Sequence, residues 1–123
     1  MNNSSTFRIG SIVYALIIGV FGLNHFLDTG MQKMIPSFMP GGPVWVYIIG
    51  ALLLLAALSI LTGKQTKLAA YLLAAFLLIL VLSVHLPSVL RAEDASYRRL
   101  PLINLLKDTG LAAAALMIAG SKS

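Results

Sequence analysis

Polar and apolar residues segregate along this chain instead of alternating. Four long apolar runs, at about 9–27, 44–61, 68–86 and 101–119, are separated by short polar stretches. Each run approaches the roughly 20 residues with which a helix, rising about 1.5 Å per residue, crosses about 30 Å of hydrocarbon. The pattern predicts an all-α protein: a four-transmembrane-helix antiparallel bundle in which residues 1–123 form a single domain.

The punctuation between the runs refines this. In span 1, Gly10, Gly19 and Gly22 are small residues that allow close helix approach, and Asp28-Thr29-Gly30 ends the span. In the connection 31–43, Met31, Met34, Ile35 and Phe38 fall at the spacing of one apolar helix face, while Pro36, Pro40 and Pro43 limit any helix to a turn or two. This predicts a short amphipathic interfacial segment, a membrane-surface flap or, on a sharper reading, a lid over the His25 end. Trp45 and Tyr47 open span 2 as headgroup-level anchors. Gly63-Lys64-Gln65-Thr66-Lys67 makes a tight turn that pairs spans 2 and 3 as a hairpin. Pro87 is expected to begin the last connection and Pro101 to be the first helical residue of span 4.

Composition agrees with a lipid solvent. Apolar residues make up 59% and charged residues 11% of the chain, against about a quarter charged in a soluble domain. Nine Lys and Arg against four Asp and Glu give a net charge of +5, and all the basic residues but Lys107 are scattered over loops and ends. That distribution favours phospholipid headgroups and argues against nucleic acid as a partner. With no Cys, the chain has no dithiol, disulfide or Cys-ligated metal of its own, so any electron chemistry is borrowed. The first run enters Asn24-His25-Phe26 without a small-x-small cleavage site and is read as a retained span. Four spans put both ends on one side. Positive charges divide evenly between the two faces, but the 63–67 turn is short and purely basic, whereas the opposite connections carry Asp28, Glu93 and Asp94. The termini are therefore expected in the cytoplasm.

The ionisable residues within the spans gather at one expected level. His25 closes span 1, His85 closes span 3, and Lys107 with Asp108 falls about 9–10 Å below the expected start of span 4. Asn104 shares their stripe, three and four residues away. Lys107 can snorkel, but the short Asp108 side chain needs a partner where it stands: Lys107, Arg91 or one of the histidines. A structural ion pair fixing helix register explains this cluster as well as a ligand site does. The candidate ligand-binding residues are His25, His85, Asn104, Lys107, Asp108, Asn24 and Arg91, with Tyr14 and Tyr71 as a pocket floor or as ordinary packing. Bis-histidine haem ligation is the weaker alternative, because the pair sits near the membrane edge and a haem needs a wider apolar slot. No metal site is expected, since Asp108 alone does not complete a ligand set.

Gly22-Leu23-Asn24-His25-Phe26, the Pro-rich loop to Trp45, Gly50, a histidine near the end of span 3 and Leu106-Lys107-Asp108-Thr109-Gly110 together resemble the DoxX family of small bacterial four-helix membrane proteins. The resemblance runs over nearly the whole chain. It implies a multi-pass protein of the bacterial inner membrane, related to subunits of quinone-linked sulfur oxidation and to companions of redox enzymes. Relatives that accompany thiol redox machinery depend on partners for the thiols, which suits a Cys-free chain.

Three functional readings follow. The first is a redox or respiratory accessory protein that binds a quinone or similar amphipathic molecule and is not an enzyme on its own. The second is a non-catalytic structural or assembly subunit, packed through span 4 against a membrane or redox-enzyme partner or a second copy of itself. The third, a small transporter or channel, is weakened by size unless the chain assembles as a homo-oligomer. The four-span topology is testable by cysteine labelling on this Cys-free background. Ser4→Cys and Ser96→Cys are expected to react from opposite sides of the membrane; labelling of both from one side sinks the topology.

Overall fold

The computed structural model describes residues 3–27 and 44–121, and every regular element among them is helical. The helices are α1 (Asn3–Leu27), α2 (Val44–Thr62), α3 (Thr66–Leu80), a π-helical turn (Val81–His85), α4 (Leu86–Arg91) and α5 (Ala95–Gly120). The segment Thr66–Arg91 runs without a break, so the described chain contains four helices long and apolar enough to cross a membrane. Large side chains such as Leu55, Leu72, Leu82, Leu90 and Met117 stand exposed along them. A water-soluble protein rarely shows so much contiguous apolar surface. This is a multi-pass membrane protein in a lipid bilayer. The interfacial segment expected over 31–43 lies outside the described residues.

Packing divides the chain into two compact units, Met1–Ala69 and Ala70–Ser123. In the first, α1 and α2 run antiparallel. Val46, Gly50, Leu53, Ala57 and Ile60 are the buried stripe of α2, at spacings of four, three, four and three. Because α2 is apolar all round, that stripe is set by residue size more than by hydropathy. The helices cross where Gly22 meets Gly50. A Cβ on Gly50 would come within 2.9 Å of the Gly22 carbonyl oxygen and of the His25 Cβ, and a Cβ on Gly22 would come within 3.0 Å of the Gly50 carbonyl oxygen. Each carbonyl thus faces the other glycine, a geometry suited to Cα–H···O contacts. Gly19 packs on Ala57, while Gly10 faces open space and takes no part. Phe26 stacks on Tyr47 with ring centroids 5.6 Å apart, tying the end of α1 to the start of α2.

Gly63, at φ +77°, ends α2 with the left-handed backbone a glycine tolerates. Its N–H and the Thr66 hydroxyl both donate to the Ser59 carbonyl, at 3.0 Å each.

In the second unit two expected boundaries move. Span 3 continues past Leu86 to Arg91, and span 4 begins at Ala95 with Pro101 inside it. Pro87 is accommodated because the π turn has already shifted the hydrogen-bond ladder: the Leu86 N–H bonds to the Val81 carbonyl, five residues back. Asp94 starts α5 instead of Pro101. Its backbone is extended and its carboxylate accepts from the Ser96 and Tyr97 N–H groups at 3.0 and 3.1 Å, an N-cap. The last connection shrinks to Ala92-Glu93-Asp94.

The Gly22–Gly50 crossing yields a contrast between two equivalent substitutions. Gly50→Ala is expected to cost about 1–3 kcal/mol through forced separation of α1 and α2. Gly10→Ala, with nothing nearby, should be neutral or stabilise by about 0.5–1 kcal/mol. Thermal unfolding in detergent reads both, and equal shifts would refute the close crossing.

Candidate functional site

The polar centre of the second unit is built from one residue of the π turn and two of α5. Leu77, Val81 and His85 are all buried at spacings of four. A plain α-helix drifts off such a stripe; a π turn takes more residues per turn and holds His85 on it. On α5 the buried residues are Asp108, Ala112, Ala115, Ile118 and Ala119, and all but Ile118 form a stripe spaced four, three and four. The alanines let the backbone come close, and Asp108 heads their stripe. It stands thirteen residues after Ala95, near the middle of α5 and about 20 Å from its start. That is twice the depth expected for a helix starting at Pro101.

The His85 Nε2–H donates to Asp108 Oδ2 at 2.7 Å, with both side chains less than a tenth exposed. Lys107 Nζ lies 3.6 Å from the other carboxylate oxygen, and its side chain is 40% exposed. One carboxylate therefore stands between an imidazole and an ammonium, each on its own oxygen. With a neutral imidazole the three groups sum to zero charge, and with a protonated one to +1. Of the partners considered for Asp108, the structure selects His85 and Lys107.

Of the remaining candidates, Asn104, Arg91 and Tyr71 belong to the second unit. Asn104 is half-buried one turn before Asp108, and its side chain makes no hydrogen bond among the described residues. Arg91 is exposed at the end of α4 and does not pair with Asp108; it lines an open pocket with Ser88, Ala92, Glu93 and Tyr97. Tyr71 is 47% exposed on α3. In the first unit, His25 is half-buried and its Nδ1–H donates to the Phe21 carbonyl at 2.6 Å. One ring nitrogen is thus bonded within its own helix. Asn24 is exposed and Tyr14 half-buried. Among the described residues no three His, Asp or Glu side chains are placed to hold a metal ion.

Sequence reasoning did not find Ser88, Glu93 and Tyr97 as pocket residues. Their signal was present in the Asp94-Ala95-Ser96-Tyr97 cap, which brings the loop tight against the start of α5. The Ser96 hydroxyl, donating to the Asp94 carboxylate at 2.7 Å, and the capped amides hold that carboxyl below its ordinary value of 3.8.

A family model described as "Domain of unknown function (DUF8561)" matches residues 14–119. No curated protein and no solved structure matches the chain.

The buried pair predicts an order of damage. Asp108→Ala removes the anion that two basic groups share, and is expected to cost about 3 kcal/mol or more. His25→Ala loses one intrahelical bond, worth about 1 kcal/mol. Equal thermal stability of the two variants in detergent would contradict a buried Asp108 pair.

Proposed function

The chain belongs to the DUF8561 family, and from the geometry of its second unit we propose a membrane-embedded accessory protein of a redox or respiratory system. It would hold a quinone or similar amphipathic carbonyl compound beside His85, Asp108 and Lys107. The observation that carries this reading is the 2.7 Å His85–Asp108 contact, buried at mid-helix with Lys107 on the second oxygen. Ionisable groups at that depth are costly and commonly mark a functional path. Asn104 and Lys107 are the donors placed to meet a ligand carbonyl, one half-buried and one partly exposed. His85, tethered by Asp108, is a proton store, and quinone reduction takes up protons. Electrons come from a partner, since the chain has no Cys. The DoxX resemblance points the same way and to the bacterial inner membrane, while the short, purely basic 63–67 turn supports cytoplasmic termini.

A second reading has its own support. Both oxygens of Asp108 are engaged within the unit, as in a structural lock of an assembly subunit. Replacing both members of a buried pair by apolar residues is often tolerated, so His85→Leu with Asp108→Leu separates the two readings. The double variant is expected to fold yet bind a short-chain ubiquinone analogue at least tenfold more weakly than the natural protein, by titration in detergent. Asn104→Leu should weaken binding as well. A folded double variant with undiminished binding would remove the site and leave the lock.

A further inference from the structure

The turn between Arg91 and Ala95 joins two helices of membrane-spanning length, so it lies where headgroups lie. Here the structure has an open pocket of about 360 Å³ lined by Ser88, Arg91, Ala92, Glu93 and Tyr97. That volume is in the range of small-molecule sites. Two of the lining residues carry opposite charges. Among the described residues neither Arg91 nor Glu93 forms an ion pair, with each other or with any third group. The neighbouring acid is already committed: Asp94 accepts from the Ser96 hydroxyl and the Ser96 and Tyr97 amides. Those amides are spent on the cap, so the helix end offers them to no anion.

The pocket thus presents one guanidinium and one carboxylate, neither ion-paired among the described residues, beside an aromatic ring at headgroup depth. We propose that it binds the headgroup of a zwitterionic phospholipid whose phosphate meets Arg91 and whose primary ammonium meets Glu93. A guanidinium suits the phosphate through paired N–H donors. The carboxylate selects against headgroups that carry a phosphate and no cation. Tyr97, 70% exposed, adds an amphipathic wall of the kind found at membrane interfaces. The site is independent of the His85–Asp108 cluster.

The test is lipid retention. The full chain is purified from mixed vesicles of phosphatidylethanolamine and phosphatidylglycerol in equal amounts, and bound lipid is read by native mass spectrometry. Several-fold enrichment of phosphatidylethanolamine is expected, with Glu93→Gln abolishing the preference and Arg91→Gln lowering retention of both lipids. Arg99→Gln, an exposed arginine outside the pocket, should change neither. Equal retention of the two lipids by the natural protein would overturn the proposal, as would an Arg99→Gln loss matching that of Arg91→Gln. Soluble phosphoethanolamine and inorganic phosphate are titrated separately. Saturable binding of either one without lipid enrichment would assign the pocket to a free phosphate compound and also overturn a lipid site.

Discussion

Taking the Asp108 carboxylate out of water costs several kcal/mol, and the protein recovers that only if partners stand at fixed positions. This requirement organises the second unit. It sets the register of α5 against the π turn, because His85 must reach Oδ2 while Lys107 reaches Oδ1. It also explains the alanines below Asp108: small side chains bring the helix close enough for a short bond to form. Mid-helix placement makes the constraint strict, since only Lys107 has a stem long enough to follow its charge toward water.

The first unit solves the same packing problem without charge. Gly22 and Gly50 remove side chains at the crossing, and backbone meets backbone. Lipid tails are as apolar as the helix surfaces, so close contact and not hydrophobic expulsion holds such a pair. His25 illustrates the difference in roles. It bonds within its own helix and presses its Cβ on Gly50, whereas His85 bonds across to another helix.

The number and rough location of the spans were legible because hydropathy alone decides them. Glycine spacing pointed to Gly19 and Gly22 but equally to Gly10, which faces nothing; size without a partner's position carries no contact. The ends of spans 3 and 4 were obscured by Pro87 and Pro101, both read as helix limits and both inside helices. A proline is a reliable stop only where the backbone cannot re-satisfy itself locally. The start signal at Asp94, an Asp followed by Ser96 and Tyr97, stood in the sequence unread beside Pro101. Asp108 and its need for a partner stood out in the sequence, and so did the short set of partners. The choice of His85 did not, because it depends on a π turn that no residue pattern announces.

That π turn also divides the helix Thr66–Arg91 into two phases. Residues up to Leu80 and residues from Leu86 onward obey the same periodicity, offset by the extra residue held in the bulge. Length changes in this segment are therefore not alike. Loss of one residue within 81–84 would restore an unbroken α-helix and leave everything beyond it on its present face, because the residue lost is the one the wider turn had absorbed. His85, the pocket residues Ser88 and Arg91, and the outward leucines would keep their sides. The same loss within 66–80, with the bulge kept, would turn the two parts of the helix against each other by about 100°. In comparisons of related chains a one-residue gap therefore belongs in 81–84 before it belongs in the regular helix on either side.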